Sequence, residues 1–168
     1  MGSGNIGATN VHRSVGRKAG VIVLFLDLMK GFFAVWLSAV FTQADPLALA
    51  LAAVAVMLGH CYPIFLRFKG GKGVACFFGA FIYAASFPLA FTAAIFIAVA
   101  AISKYISLGS IIGAISFPFA VWLTGQPPPV LIASIVAALL IVYRHKANIS
   151  RIRCGREHTF SLRGGEPG

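Results

Sequence analysis

Acidic side chains are scarce: 4 Asp and Glu stand against 14 Lys and Arg, so this 168-residue chain carries a formal charge of +10. No carboxylate pair lies among the basic residues, since Glu166 belongs to the tail, and no Asp is placed to complete a Ser-His-Asp triad. Cysteine is also sparse. Cys61, Cys76 and Cys154 are scattered, odd in number and free of CxxC spacing, which argues against a disulfide framework or a zinc site. Their place in or beside basic gaps leads us to expect reduced thiols facing the cytoplasm. Nothing implies a metal or a cofactor. A cleavable signal sequence is missing too, because the chain opens on polar glycine-rich residues. A polar body is the largest absence: charged residues make up 11% and hydrophobic ones 59%. Nucleic-acid binders display basic groups on a polar body, so that class is excluded.

What is present is membrane-like. The mean hydropathy is +0.90, and six apolar segments can be read at 20–41, 47–65, 74–86, 88–102, 106–123 and 127–143. A helix crosses the hydrocarbon core with about 17–25 residues. The third and fourth segments are short and Pro88 separates them, so they are expected to form a tight helical hairpin; one long helix would carry proline in its middle. Pro127, Pro128 and Pro129 suit a helix start. The fold class is therefore an all-α integral membrane protein, a bundle of about six transmembrane helices. It reads as a single domain over 1–163, followed by a disordered tail at 164–168.

The cations sort by side. All but Lys30 fall in alternate gaps: Arg13, Arg17 and Lys18; Arg67, Lys69 and Lys72; Lys104; and the stretch from Arg144 to Arg163. The intervening gaps hold Asp45, the 86–88 turn and 124–129, with no Lys or Arg. This asymmetry places the basic gaps and both termini in the cytoplasm. Asp27 and Lys30 lie inside the first segment and are expected to form an internal ion pair that orients the bundle.

Three polar stretches share the basic side. Gly2-Ser3-Gly4-Asn5-Ile6-Gly7-Ala8-Thr9-Asn10, with Arg13 after it, matches GxGxxG, but no βαβ unit surrounds it. Backbone N–H groups there could still cradle a phosphate. Phe68-Lys69-Gly70-Gly71-Lys72-Gly73 precedes the third segment and is not a Walker loop, since Gly73 stands where Ser or Thr should follow the lysine. Its glycines let the backbone approach an anion, its lysines supply charge and the next helix offers its N-terminus. The loop is expected to dip below the headgroups. In the third stretch His145, Asn148 and Arg151 share a face if the last helix continues, suited to holding a phosphate and steering a hydroxyl. Ser107 and Ser110, near Lys104, read in isolation as ordinary N-caps. No His-x4-Asp occurs, which removes the signature of the common thioester-using acyltransferases.

Together these blocks resemble the bacterial acyl-phosphate:glycerol-3-phosphate acyltransferases, the PlsY-type family. The resemblance runs in order through the first stretch with Arg13, Leu26-Asp27-Leu28 with Lys30-Gly31, Gly59-His60 into the Lys69–Gly73 loop, Tyr105 with Ser107 and Ser110, and His145, Asn148, Arg151 and Gly155-Arg156-Glu157. It implies acyl transfer from acyl phosphate to the 1-hydroxyl of glycerol 3-phosphate in the bacterial inner membrane, giving lysophosphatidic acid and phosphate. That is the first acylation of phospholipid synthesis. It further implies catalytic roles for His145, Asn148, Ser110 and Lys72. Ser3, Gly4, Asn5, Asn10, Arg13, Lys69, Gly70, Gly71, Gly73, Ser107 and Glu157 would bind substrate or phosphate. The expected partners are both substrates and membrane lipid, with the enzyme monomeric.

Family members carry one more membrane helix ahead of the first motif, for seven in all. This chain begins inside that motif, so a misassigned start or an inactive truncated form is the corresponding expectation. The rival from another class is a small transporter of a phosphorylated solute, which inverted repeats or broken mid-membrane helices would favour; neither is evident.

Overall fold

The computed structural model describes residues 6–159. The readings at Ser3, Gly4 and Asn5, and the 164–168 tail, lie outside them. Among the described residues the protein is all helix and turn: α1 (Ala8–Ser14), α2 (Arg17–Thr42), α3 (Pro46–Cys61), a 3-10 turn (Ile64–Leu66), α4 (Val74–Ala84), α5 (Ser86–Ser103), α6 (Ile106–Leu123), α7 (Pro128–Arg144) and α8 (Lys146–Arg153).

Every apolar segment is helical, but not every one is a span. Four helical stretches are long and apolar enough to cross a membrane, and α7 with α8, bent by 55°, passes the same test when the two are counted as one span. Helix α4 has 11 residues, about 16 Å of rise against a core about 30 Å thick. The expected bundle of apolar helices is therefore present, with four to five of them of spanning length and α4 too short to span. The hairpin break also moves. It falls at Ala85, while Pro88 sits in the first turn of α5, where its missing N–H leaves no gap in the ladder. Asp45 caps α3 by accepting from Ala48 N at 2.8 Å, with Pro46 behind it. Likewise Pro127 and Pro128 open α7.

A helix too short to span has to be enclosed by protein, and α4 is. Cys76, Phe77, Gly79, Ala80 and Phe81 are buried. Phe77 and Phe81 meet Phe117 of α6 at centroid distances of 4.9 and 4.8 Å. On the other side, α2 approaches so closely that a Cβ at Gly79 would collide with the Leu28 carbonyl, and one at Gly31 with the Cys76 carbonyl. Small residues at such crossings let backbones touch without a hydrophobic drive from lipid. Phe25, Leu26, Trp36, Phe91 and Ile97 point outward, as expected of lipid-facing helices. One end of this bundle gathers α1, the 3-10 turn with its glycine loop, the α5–α6 turn and α8.

Candidate active site

The glycine loop is shaped before it reaches its lysine. Arg67 and Phe68 both take left-handed backbone, φ 50° and 62°, conformations that β-carbon residues adopt only under constraint. The chain then passes exposed Lys69, buried Gly70 and Gly71, and half-buried Lys72. At Gly73, φ is +85°, where only glycine sits without strain. Arg144 holds the loop from α7: Nε donates to Gly71 O at 3.0 Å and Nη2 to Gly70 O at 2.8 Å. Its guanidinium lies over the Tyr62 ring, 5.0 Å from the centroid.

Burial pushes the Lys72 ammonium down to about 8; Glu157 opposes that shift, and Arg151, Arg13 and Arg144 add to it. Those contributions place Lys72 within electrostatic reach of one carboxylate and three guanidiniums. Glu157 is the hub. Buried, it accepts from Ser107 Oγ at 2.9 Å, Asn148 Nδ2 at 2.6 Å and Arg151 Nε at 2.7 Å. Burial alone would raise its carboxyl, but hydrogen bonds from Asn148, Arg151 and Ser107 hold it below the ordinary glutamate value.

His145 stands at the bend between α7 and α8, 2% exposed. Its Nδ1 lies 2.8 Å from the Ile141 carbonyl; a carbonyl only accepts, so Nδ1 carries the proton and Nε2 is left as an acceptor. Asn148 follows one turn later, 3% exposed. Because Nδ2 donates to Glu157, Oδ1 faces away from it, and that buried oxygen has no partner among the described residues. The expected continuation of the last helix is thus real but bent.

Ser107 and Ser110 are not N-caps, for Tyr105 occupies that position. Ser107 ties α6 to Glu157 instead, and Ser110 donates back to Ile106 O at 2.9 Å. Ser110 also lines a small apolar recess with Phe77, Phe78, Thr92 and Phe96. On α1, Asn10 is half-buried and Arg13 exposed; α1 rests on α2 through His12 against Gly20. The structure therefore gathers Lys72, Ser107, His145, Asn148 and Glu157, with Arg13 at the edge and Lys69 outside. Sequence reasoning left Arg144 out, because an arginine ending a membrane helix looks like any positive cap. His60 enters only as part of the resemblance, with no site role.

A cationic, glycine-lined pocket with a steered amide at one end of a multi-pass helical bundle defines a membrane protein built around phosphorylated ligands. The family model described as glycerol-3-phosphate acyltransferase matches residues 1–155. The glycerol-3-phosphate acyltransferase of Aquifex aeolicus (strain VF5) is 43% identical over 161 residues, covering 95% of this chain and 83% of that one. Its counterpart in Endomicrobium trichonymphae is 44% identical over 152 residues, covering 90% and 76%. The crystal structure of PlsY, an integral membrane glycerol 3-phosphate acyltransferase, in its glycerol 3-phosphate form aligns with a TM-score of 0.90 at 42% identity, covering 96% of this chain and 80% of that chain. The lysophosphatidic acid form gives 0.88. This chain belongs to the glycerol-3-phosphate acyltransferase family, and the transporter reading finds no support in any of these relatives.

Proposed function

We propose that the protein transfers a fatty acyl group from acyl phosphate to the 1-hydroxyl of sn-glycerol 3-phosphate, releasing lysophosphatidic acid and inorganic phosphate. The observation that carries this reading is the Asn148 amide. Its nitrogen is committed to Glu157, which lies within electrostatic reach of Lys72, and its oxygen is a buried acceptor without a partner among the described residues. A site that holds both an acceptor for a hydroxyl and a cation for a phosphate suits a phosphorylated polyol.

The Gly70-Gly71-Lys72-Gly73 loop takes the phosphate of glycerol 3-phosphate, and Arg13, with Ser3 by resemblance to the family, contributes to phosphate binding. Asn148 and the His145 Nε2 acceptor orient the 1-hydroxyl. That oxygen attacks the acyl carbonyl carbon, the carbonyl–phosphate C–O bond breaks, and phosphate departs with the electron pair. The described carboxylates are committed elsewhere: Glu157 to three donors, Asp27 to Lys30, Asp45 to the α3 cap. Burial and the nearby Lys72 charge push the His145 imidazole down to about 4, which makes it a poor base. The hydroxyl proton therefore passes to a donor phosphate oxygen, and His145 serves to orient the hydroxyl. Acyl phosphate is already activated, so positioning and charge stabilisation suffice, without a covalent enzyme intermediate.

In this reading the enzyme works as a monomer in the bacterial inner membrane, with its basic face and both termini in the cytoplasm. The test is phosphate release from acyl phosphate by purified protein, with and without glycerol 3-phosphate. Acceptor-dependent release supports the assignment. Release that ignores the acceptor, or full turnover in both Lys72→Ala and Asn148→Ala, overturns it.

A further inference from the structure

The charges inside α2 remain unused by the reaction. Asp27 and Lys30 pair at 2.8 Å, and α3 adds a third member. His60 Nδ1 lies 2.9 Å from Lys30 Nζ and 3.2 Å from Asp27 Oδ1, with the His60 side chain 3% exposed. An ammonium has donors and no acceptor. Lys30 therefore donates to the carboxylate and to Nδ1 at once, which leaves the imidazole proton on Nε2.

The other edge of this ring abuts the glycine loop. A Cβ at Gly71 would collide with His60 Nε2, Cε1 and Cδ2, and one at Gly70 with the His60 carbonyl. Gly71 N donates to that carbonyl at 3.2 Å. The loop is thus gripped twice: Arg144 holds the Gly70 and Gly71 carbonyls from α7, and His60 backs Gly71 from α3. Asp27 and Lys30 lie 10 and 13 residues into α2 from Arg17, about 15–20 Å along its axis. An ionic group that deep is expensive unless it serves a purpose, and here it orients the ring on which the loop rests.

We propose that Asp27, Lys30 and His60 form a positioning cluster that holds the Gly70-Gly71-Lys72 loop in register for the phosphate of glycerol 3-phosphate. This rests on the assignment of that loop to the acceptor substrate. Without the Lys30 ammonium, the imidazole proton is free to move to Nδ1 and bond Asp27. The ring then turns, and the face beneath Gly71 changes.

The experiment measures kcat and both KM values for purified enzyme in detergent, alongside thermal unfolding. Lys30→Met is expected to raise the KM for glycerol 3-phosphate about tenfold, the scale of one charge-assisted hydrogen bond. The KM for acyl phosphate should stay unchanged. Lys30→Arg keeps donors for both partners and should restore most of the loss. His60→Asn retains an acceptor near Nδ1 but removes the ring beneath Gly71, so it should reproduce the acceptor-specific defect; it also serves if Lys30→Met does not fold. Variants that are merely less stable, with both KM values at wild type, overturn the proposal, as does an equal rise in both.

Lys72→Ala separates the two layers. If it raises the KM for acyl phosphate and spares glycerol 3-phosphate, the loop assignment itself fails. If it raises the glycerol 3-phosphate KM while Lys30→Met and His60→Asn do not, the cluster alone fails.

Discussion

Lys72 carries the most legible electrostatic signature in the site. Its ammonium, pushed down to about 8 by burial among other cations, is charged below that pH and increasingly neutral above it. A dianionic phosphate binds the charged form. The kcat/KM for glycerol 3-phosphate is therefore expected to fall as pH rises through about 8, while bound phosphate holds the proton and moves the kcat limb higher. Lys72→Arg, which stays protonated, should lift that limb out of the accessible range at reduced activity. Lys72→Ala should lower kcat/KM about 10- to 100-fold. A pH profile unchanged by Lys72→Arg would assign the limb to another group. For Asn148 the split differs. In the proposed mechanism its Oδ1 orients the reacting hydroxyl, so Asn148→Ala is expected to lower kcat about 100-fold with little change in the acyl phosphate KM; initial-rate kinetics separate the two.

At the scale of elements, α4 shows what hydropathy can and cannot reveal. Its segment was readable as apolar and short, and the following turn as a break. Proline is the loudest helix breaker in the sequence and points to a break at Pro88, yet proline is harmless in a first turn, and the chain turns at Ala85 instead. Nothing in the local sequence says that α4 is the enclosed helix; that follows from Gly31 and Gly79 letting α2 close on it. Gly79→Ala should therefore force apart α2 and α4, because the obstacle is the Leu28 carbonyl and not a movable side chain. Overpacking of this kind costs about 1–3 kcal/mol, read as a lower unfolding temperature in detergent, with the surviving enzyme keeping wild-type KM values. The candidate site residues are legible one by one in the sequence, whereas the wiring between them is not. Glu157 joins Ser107 across 50 positions, and a carboxylate placed among expected phosphate ligands makes physical sense only once its three donors are visible. The roles of Arg144 and His60 stayed hidden for the same reason: they come from a loop that folds back 73 and 11 residues away, respectively.

For the whole molecule, sidedness is the property on which the function depends. Glycerol 3-phosphate is a polar dianion that does not cross a bilayer unaided, so the proposed reaction requires a pocket that opens on the side of the membrane holding that substrate. The proposed cytoplasmic orientation of that face rests on the charge asymmetry: cations flank α1, the glycine loop, the α5–α6 turn and α8, whereas the α2–α3 turn carries Asp45 and the α6–α7 turn carries no charge. The cysteines provide a direct test. Cys61 and Cys76 are buried, and Cys154, after α8, is exposed. A membrane-impermeant maleimide should label Cys154 in inside-out vesicles and leave it untouched in intact spheroplasts. In a Cys154→Ser background, Thr42→Cys, at the exposed far end of α2, should show the reverse. Labelling of Cys154 from outside the cell would invert the topology. It would place the pocket away from its soluble substrate and remove the cytoplasmic acyltransferase reading, however well the site geometry fits.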